Sequence, residues 1–522
     1  MAEDREISTL AELIRHQGAA RPERVATVFE GRETTYGELD ARAGRVAGGL
    51  LAAGCARMSR VAILAKNSDL YTEILFGAAK ANLVLVPVNW RLAPPEVRFI
   101  VADAGAEVLF VGPEFSALVE GIQDELPSLR TIIALGDEHP EWEGYEVWRE
   151  RHRAPEPTPA VAPEDIAVQM YTSGTTGLPK GAQLRHQGLC DLVGKGTRQF
   201  AVWSADDISL VAMPLFHIGG SGYALLGYYM GATNVIMPEI DPGAIIAAIA
   251  RHRITKVFFV PAVILFMLEH PACAGADFSS LELVLYGAAP MPQDLLSGAL
   301  EAFGCDFAQV YGLTETSGAV TYLDPGDHDP ARPERLLSCG KAMEGIEIRV
   351  VDGEDNPVAA RQVGEIVCRA AQNMAGYWNL PEETTRAMRG GWFHTGDAGY
   401  LDDEGYLYIY DRVTDMIISG GENIYPAEVE NALFGHPGVA DVAAIGVPDE
   451  RWGEAVKAIV VAKPEAAPTA EELIAFARGR IAGFKVPSSV DFVEALPRNP
   501  SGKVLKRELR EPYWRGRERK VN

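Results

Sequence analysis

The sequence has few cysteines, and their spacing does not suit metal or redox chemistry. No two of the six lie close enough for a Cys-x-x-Cys motif; they are Cys55, Cys190, Cys273, Cys305, Cys339 and Cys368. A chain of 522 residues also buries enough apolar surface to fold without disulfide bonds. These absences exclude a Cys-x-x-Cys zinc or redox centre and a small disulfide-stabilised scaffold.

The chain also lacks an excess of basic residues. It has 48 Lys and Arg residues against 72 Asp and Glu residues, which gives a formal net charge of −24. This charge repels phosphate backbones, so we expect no nucleic-acid partner. Residues 1–6 are acidic and lack the basic and then apolar order of a signal peptide, which favours a cytoplasmic location. Any anionic substrate must therefore be held by local positive groups.

The sequence also lacks a long apolar segment that is free of proline, glycine and polar residues. Residues 208–238 contain no Asp, Glu, Lys or Arg and are long enough to span a bilayer. However, Pro214 and five glycines break this segment, and it carries His217 and Asn234. We therefore predict that it is buried inside the protein and does not cross a membrane.

Short apolar runs alternate with amphipathic stretches along most of the chain. Residues 60–65 and 83–88 have strand character, and residues 71–81 between them have a helical pattern. The same order returns between residues 209 and 260, where Asp241 and Pro242 supply an N-cap and a first-turn proline. This rhythm predicts an α/β fold with largely parallel sheets covered by helices.

The pattern changes near residue 400. Residues 405–410 alternate like a half-exposed strand, and the segment after residue 412 is domain-sized with a strand and a helix of its own. We place a boundary just after Arg412. The predicted architecture is a large multi-sheet α/β body, residues 1–412, followed by a small α+β C-terminal lobe, residues 413–522.

The strongest chemical signal is a polar loop that follows a buried strand. Residues 165–171 have strand character and run directly into Thr-Ser-Gly-Thr-Thr-Gly-Leu-Pro-Lys-Gly, residues 172–181. The glycines let backbone N–H groups approach a polyphosphate, four hydroxyls add donors, and Lys180 supplies positive charge. The Walker spacing is absent, because the two inner glycines are too close together and a proline intervenes. The alternative interpretation is a flexible loop without a ligand.

Residues 171–181 resemble the AMP-binding signature of the adenylate-forming superfamily, which includes acyl-CoA synthetases, peptide-synthetase adenylation domains and firefly luciferase. Five further motifs follow in the family's order, among them Gln-Val-Tyr-Gly-Leu-Thr-Glu-Thr from residue 309 and Trp-Phe-His-Thr-Gly-Asp from residue 392. The resemblance covers essentially the whole chain. It implies an enzyme that uses ATP, Mg²⁺ and coenzyme A and whose mobile C-terminal lobe rotates between two half-reactions.

The resemblance also implies a nucleotide site assembled from these motifs. Tyr311 would stack on adenine, Asp397 would bind the ribose hydroxyls, and Glu315 would hold Mg²⁺. The implied catalytic residues are Thr176, Glu315 and Lys503, and the lysine would stabilise negative charge on the phosphoryl oxygens. The full set of implied nucleotide and CoA positions is Thr172, Ser173, Gly174, Thr175, Thr176, Gly177, Lys180, Gly287, Ala288, Ala289, Tyr311, Gly312, Thr316, Asp397, Arg412 and Gly421.

Three residues are similar to positions that line the family's carboxylate pocket: His217, Gly219 and Tyr286. The resemblance implies that His217 separates the acyl site from the CoA site, although a histidine in an apolar run is by itself better interpreted as a core residue. One position departs from the family pattern. The hinge, two residues after the junction arginine, is Thr414 where the family usually has Asp or Lys.

These motifs predict an AMP-forming acyl-CoA ligase. The apolar segments at residues 208–238 and 257–268 favour a fatty or an aromatic acid over acetate or a dicarboxylate. The motif at residues 417–426 looks most like that of medium- and long-chain fatty acyl-CoA synthetases, so the resemblance favours a fatty acid, with a cinnamate- or ferulate-type acid as the alternative. Three rival functions are an acyl-AMP ligase that loads a carrier protein, a luciferase-like oxygenase and a non-catalytic AMP- or acyl-binding sensor. The basic C-terminal segment is predicted to be solvated, with peripheral contact to CoA phosphates or anionic lipid as the alternative. The oligomeric state stays open.

Overall fold

The computed structural model describes residues 7–136, 139–172, 178–200, 203–289, 291–329, 331–412, 415–419, 422–424, 426–449, 451–464, 466, 468–498 and 504–515. In chain order the strands are β1 (Val25–Phe29), β2 (Arg32–Thr35), β3 (Arg60–Leu64), β4 (Val84–Pro87), β5 (Val108–Val111), β6 (Thr131–Ala134), β7 (Glu143–Gly144), β8 (Ile166–Thr172), β9 (Lys180–Arg185), β10 (Ile208–Val211), β11 (Thr233–Ile236), β12 (Lys256–Phe259), β13 (Leu283–Gly287), β14 (Asp306–Leu313), β15 (Gly318–Leu323), β16 (Lys341–Ala342), β17 (Glu347–Val351), β18 (Gly364–Arg369), β19 (Gly376–Tyr377), β20 (Phe393–Leu401), β21 (Leu407–Arg412), β22 (Ile417–Ser419), β23 (Glu422–Ile424), β24 (Val439–Asp449), β25 (Gly453–Ala462) and β26 (Ser489–Phe492). The α-helices are α1 (Leu10–Ala20), α2 (Tyr36–Ala52), α3 (Asp69–Lys80), α4 (Pro94–Ala104), α5 (Ser116–Glu120), α6 (Tyr145–Arg151), α7 (His186–Gln199), α8 (Ile218–Met230), α9 (Pro242–His252), α10 (Pro261–Glu269), α11 (Gln293–Phe303), α12 (Pro381–Ala387), α13 (Pro426–Phe434), α14 (Ala470–Arg478) and α15 (Lys506–Trp514).

Two large sheets form most of the structure. The nine-stranded sheet has the order β16-β15-β14-β13-β12-β10-β11-β1-β2, and the eight-stranded sheet has the order β19-β9-β8-β4-β3-β5-β6-β7. The interior strands of both sheets pair in parallel. Antiparallel strands extend the edges, with β15, β16 and β2 in the first sheet and β9 and β19 in the second. The predicted α/β fold with largely parallel sheets is confirmed for these two sheets.

Helix α3 lies between the two large sheets, where it contacts β1 of one and β4 of the other. Its charged residues are buried, and each has an oppositely charged partner. Arg32 Nη2 lies 2.8 Å from Asp69 Oδ1, and Arg149 Nη1 lies 2.8 Å from Glu73 Oε2, which also accepts the hydroxyl of Tyr145 at 2.9 Å. This pairing offsets much of the cost of burying the charges, so the helix can occupy the core.

The third sheet is antiparallel throughout, in the order β17-β18-β20-β21, and the alternation of strands and helices did not predict it. The fourth has the order β23-β22-β25-β24 with β26 beside β25. Strand β21 ends at Arg412 and β22 begins at Ile417, so the predicted boundary falls between these two sheets. The structure therefore has a large multi-sheet part and a smaller C-terminal part, and the exact division and the mobility of the lobe stay predictions.

The predicted N-cap of α9 and the predicted placement of residues 208–238 inside the body are confirmed. Helix α9 begins at Pro242, and Asp241 Oδ1 accepts the N–H of Ala244 at 2.7 Å as its N-cap. The charge-free segment at residues 208–238 folds as β10, α8 and β11 within the body. Within the described ranges, no helix has the length and hydropathy needed to cross a membrane. All six cysteines are unpaired thiols.

Candidate active site

The polar loop identified in the sequence connects two adjacent antiparallel strands. Strand β8 ends at Thr172, β9 begins at Lys180, and these two residues face each other as Cα partners. The hairpin therefore brings the last described hydroxyl before the loop next to the lysine that follows it. Residues 173–177 lie outside the described residues.

Glu315 lies directly beside the start of this loop. It is in a short 3-10 helix, Thr314–Thr316, that follows β14, and it is 8% exposed. The hydroxyl of Thr172 donates to Glu315 Oε1 at 3.1 Å, and the hydroxyl of Tyr377 donates to the same oxygen at 2.9 Å. No described residue donates a hydrogen bond to Oε2. A carboxylate that is oriented in this way and keeps one oxygen available is suited to a hard cation such as Mg²⁺.

Lys180 is held by residues that follow it by about 200 positions in the chain. Its Nζ lies 2.5 Å from Glu383 Oε2 on α12, and 5.5 Å from the centroid of the Tyr377 ring. The Tyr377 ring therefore contacts the lysine, while its hydroxyl contacts Glu315. The Lys180 contact lowers the pKa of the Glu383 carboxyl, because the ammonium group stabilises its ionised form.

Asp397 lies on the antiparallel sheet next to the end of β14. The hydroxyl of Tyr311 donates to Asp397 Oδ2 at 2.7 Å, and Asp397 stands opposite Arg412 in the register of β20 and β21. Asp397 is 6% exposed, and its own N–H donates to the hydroxyl of Thr395 at 3.0 Å. The structure thus brings together Tyr311 and Asp397, the pair expected at the adenine and the ribose.

The strand ends near Tyr311 have little room for side chains. A Cβ added to Gly287 would lie 2.2 Å from the Val310 carbonyl oxygen, and one added to Gly312 would lie 1.9 Å from that of Gly318. Ala288, which follows β13, has a positive φ of 66° and is exposed. The added Cβ atoms would meet the backbone of the neighbouring strand, so the two glycines let β13, β14 and β15 pair closely, and the small exposed Ala288 beside them leaves room for a planar base.

Two of the expected site residues have buried side chains. The Tyr286 hydroxyl lies 3.0 Å from His328 Nε2 and 3.3 Å from Gln309 Oε1, and the side chain is fully buried. The Thr316 hydroxyl accepts the N–H of Leu313 at 2.9 Å and donates to the Gly318 carbonyl at 2.6 Å. In the structure these side chains support the strands that carry the site.

His217 forms the N-cap position of α8, close to aromatic residues. Its ring centroid lies 4.6 Å from that of Phe216, and its Nε2 is buried without a hydrogen-bond partner among the described residues. Burial and the charge of Arg91 lower the pKa of His217 to about 4, so the ring is neutral at pH 7. In the first turn of the helix, a Cβ added to Gly219 would lie 3.2 Å from Phe258.

Comparison with known proteins identifies the family. A family model described as AMP-binding enzyme matches residues 14–378, and a second, described as AMP-binding enzyme C-terminal domain, matches residues 428–503. The chain belongs to the AMP-binding enzyme family. The resemblance to the adenylate-forming superfamily is therefore confirmed, and the protein is an ATP-dependent acid–thiol ligase.

Relatives of this AMP-binding enzyme act on different acids. It is 41% identical to a fatty acid–[acyl-carrier-protein] ligase, ScoC, of Streptomyces coeruleorubidus, over 99% of each chain. It is also 41% identical to a feruloyl-CoA synthase of an Amycolatopsis species, over 94% of this chain and 96% of the relative. Among solved structures, the anthranilate CoA ligase AuaEII in complex with anthranoyl-AMP matches with a TM-score of 0.90 and 28% identity over 97% of each chain.

The AMP-binding enzyme motifs did not reveal every residue of the site. Tyr377 lies in Gly-Tyr-Trp-Asn, residues 376–379, which is one of the further family motifs, but it had no predicted role. Glu383 lies in a polar helix without a distinguishing pattern. Gln372 was also missed; its Nε2 donates to the carbonyl oxygens of Thr316 and Ala319, both at 2.9 Å, on either side of the turn after Glu315. Of Arg412 only the backbone is described. Eight further predicted positions lie outside the described residues: Ser173, Gly174, Thr175, Thr176, Gly177, Thr414, Gly421 and Lys503.

Proposed function

We propose that this enzyme is an acyl-CoA ligase that activates a medium- or long-chain fatty acid through an acyl-adenylate and then transfers the acyl group to coenzyme A. The observation that carries the proposal is the convergence of Thr172, Lys180 and Glu315 at one hairpin. These positions support a phosphate-binding role for Lys180 and a metal-binding role for Glu315 beside the same loop. The hydrogen-bonded pair formed by Tyr311 on β14 and Asp397 on β20 would supply the adenine and ribose contacts.

In the first half-reaction a carboxylate oxygen of the acid attacks the α-phosphorus of ATP, and the bond to the pyrophosphate oxygen breaks. Lys180 neutralises charge on the leaving phosphates, and Lys503 stabilises the charge that develops at the α-phosphoryl group. Asp397 accepts hydrogen bonds from the ribose hydroxyls and thereby fixes the nucleotide. Mg²⁺ held by Glu315 would neutralise further phosphate charge.

In the second half-reaction the thiol of coenzyme A attacks the acyl carbon, and AMP leaves. Adenylation makes this displacement feasible because AMP is a much better leaving group than a free carboxylate oxygen. We propose that the lobe after residue 412 rotates about Thr414 between the two steps, and that Gly421 then borders the CoA channel. His217 is neutral at working pH, so it separates the two sites by its position and size rather than by its charge.

One observation favours an aromatic acid as a second candidate substrate. Gly219, one of the proposed acid-binding positions, lies over packed rings: a Cβ added there would lie 3.2 Å from Phe258, and Tyr223 lies 5.9 Å from both Phe258 and Trp203 between ring centroids. Such a rigid wall suits a compact planar acid better than a long alkyl chain. The relatives named for fatty and for ferulic acid match equally well in identity, so both candidates need testing.

The test measures pyrophosphate and AMP release with MgATP across alkanoic and aromatic acids, with and without coenzyme A. We expect steady turnover that requires coenzyme A and rises with alkyl chain length. A maximum with cinnamic or ferulic acid would replace the fatty acid by the aromatic candidate. Release of pyrophosphate that stalls despite coenzyme A would indicate a carrier-protein acceptor, as the name of one relative suggests.

Lys503→Ala provides the mechanistic control for this panel. Loss of the positive charge near the α-phosphorus should lower the adenylation rate by on the order of 100-fold. Thermal unfolding should be unchanged, because the role proposed for Lys503 is in the reaction and not in folding. An unchanged adenylation rate would contradict the role given to Lys503, and absence of turnover with every acid would contradict the ligase itself.

A further inference from the structure

The lysine of the phosphate loop already has an anionic partner within the protein. The side chains of Lys180 and Glu383 are 11% and 22% exposed, so their contact at 2.5 Å is largely shielded from water. Shielding makes a contact between opposite charges stronger than it would be on the surface. A carboxylate in this position binds the same ammonium group that a phosphate oxygen of ATP would need.

The surroundings of this ion pair make it exchangeable. Arg386, one turn further along α12, places Nη1 3.0 Å from Glu383 Oε1, and its side chain is 65% exposed. Glu383 therefore keeps a cationic partner when Lys180 moves to another anion. On the other side, the Tyr377 ring lies under the Lys180 ammonium and stabilises it through a cation–π contact whichever anion it pairs with.

We propose that Glu383 is an intramolecular competitor for the polyphosphate of ATP at Lys180. This inference rests on the proposed function, because it requires Lys180 to bind the β- or γ-phosphate. The carboxylate lowers the affinity for MgATP and, by recapturing Lys180, speeds the release of pyrophosphate after adenylation. It leaves the affinity for AMP unchanged, because AMP lacks the phosphates that Lys180 contacts.

The experiment measures equilibrium binding of MgATP and of AMP by isothermal titration calorimetry on the full-length protein. We expect Glu383→Gln to bind MgATP about fivefold more tightly, which corresponds to the loss of one partly buried competing ion pair. AMP affinity should not change. The matched control is Glu382→Gln, which alters the net charge equally at the preceding exposed residue and should leave both affinities unchanged.

A second pair of variants separates competition at Lys180 from a general effect of charge. In a Lys180→Met background, Glu383→Gln should improve MgATP binding much less than it does in the wild type, because the shared ammonium is gone. A gain of the same size in both backgrounds would overturn the proposal. So would MgATP binding in Glu383→Gln that is unchanged or weaker, since a weaker affinity would mean that Glu383 holds Lys180 in place for the phosphate.

These results are distinguishable from a failure of the proposed function. If the wild type binds no MgATP, the proposed function fails and this inference fails with it. If the wild type binds MgATP normally and Glu383→Gln does not bind it more tightly, the inference alone fails. Both outcomes can be interpreted without knowing the acid substrate or the thiol acceptor, because the binding experiment contains no acid and no coenzyme A.

Discussion

At the scale of single residues, Tyr377 connects Lys180 and Glu315, the two charged groups of the proposed phosphate site. Its hydroxyl donates to Glu315 Oε1 at 2.9 Å and its ring lies 5.5 Å from Lys180 Nζ. Thr172 donates to the same oxygen of Glu315, so two hydroxyls orient one carboxylate. Groups that hydrogen-bond to a metal ligand without binding the metal themselves fix the direction of the metal-binding oxygen and thereby tune the affinity for the ion.

Tyr377→Phe tests this orienting role. The ring and its contact with Lys180 remain, but one donor to Glu315 is lost, so the carboxylate is less well oriented. We expect the Mg²⁺ concentration that gives half-maximal adenylation to rise about tenfold, while the affinity for AMP stays the same. The measurement is pyrophosphate release over a Mg²⁺ titration at saturating acid.

Tyr408→Phe is the matched control for Tyr377→Phe. It removes the hydroxyl of a tyrosine on the antiparallel sheet, which donates to Asp402 Oδ2 at 3.4 Å. This change should leave the Mg²⁺ dependence unaltered. An equal shift in both variants, or no shift in Tyr377→Phe, would show that the hydroxyl does not orient Glu315.

The sequence predicted individual site residues better than their partners. Lys180 lies in a loop whose residue types suit phosphate, and the family resemblance implies the roles of Glu315 and Asp397, so all three could be proposed without a structure. Glu383 could not be identified from the sequence, because it is one of two adjacent glutamates in a polar helix. Which of the two contacts Lys180 depends on how α12 packs against β19. Contacts across 200 residues leave no local pattern.

At the scale of elements, α12 is fixed to the edge strand β19 by tight packing. Thr384 accepts the backbone N–H of Tyr377 on its hydroxyl at 2.9 Å. Gly376 has a φ of +150°, and a Cβ added there would lie 2.7 Å from Thr384 Cγ2. The indole N–H of Trp378 donates to the Asp103 carbonyl at 2.9 Å and so ties the strand to α4. This packing sets the distance between Glu383 and Lys180.

Gly376→Ala should disturb the packing of α12 on β19. The added methyl group meets Thr384 and requires an unfavourable backbone conformation, so we expect a loss of about 1–3 kcal/mol in the free energy of unfolding. Adenylation should fall as well, because Tyr377 and Glu383 shift together. Urea unfolding and pyrophosphate release measure the two effects.

Gly353→Ala is the control for this change, since a Cβ there has no atom within 4 Å and the φ is not positive. It should leave stability and activity at the level of the wild type. A Gly376→Ala protein with normal stability and normal adenylation would show that β19 and α12 tolerate displacement, and that the site does not depend on their spacing.

At the scale of the whole molecule, stability should depend on pH through a buried histidine at the junction of the N-terminal helix and the body. His186 Nδ1 accepts the N–H of Leu10 at 3.3 Å, and the side chain is fully buried. Burial lowers the pKa of His186 to about 4, whereas an unfolded histidine has a pKa near 6.5. Above pH 6.5 the imidazole is neutral in both states and contributes no pH dependence.

Below pH 6.5 the unfolded chain binds a proton at this position and the folded protein does not. The free energy of unfolding therefore decreases as the pH falls from 6.5 towards 4, by about 2 kcal/mol at pH 5 from this residue. The measurement is urea unfolding at pH 7 and pH 5. His186→Gln should remove this part of the difference, and His16→Gln, an exposed histidine on α1, should keep it. Equal differences in both variants would contradict the assignment.

At this scale the fold class could be predicted but the strand order could not. The alternation of strands and helices identified parallel sheets, and the predicted strands at β3, β4, β10, β11 and β12 all form. The strands that pair with them could not be predicted, because β1 pairs with β11 across about 200 residues and β4 pairs with β8 across about 80. The antiparallel third sheet was missed because its strands are separated by turns and short polar helices rather than by the amphipathic helices that indicate a parallel sheet.

The pairing of β9 with β19 has a consequence for the order of events during synthesis. Ala182 on β9 pairs with Tyr377 on β19. Tyr377, which contacts Lys180 and Glu315, therefore follows β9 by 377 − 182 = 195 residues. A nascent chain that has emerged only as far as β9 carries Lys180 without Glu383, Tyr377 or Glu315. If nucleotide binds as proposed, it can stabilise the growing chain only after Tyr377 on β19 and Asp397 on β20 have left the ribosome, so roughly the first three-quarters of the chain must fold without bound nucleotide.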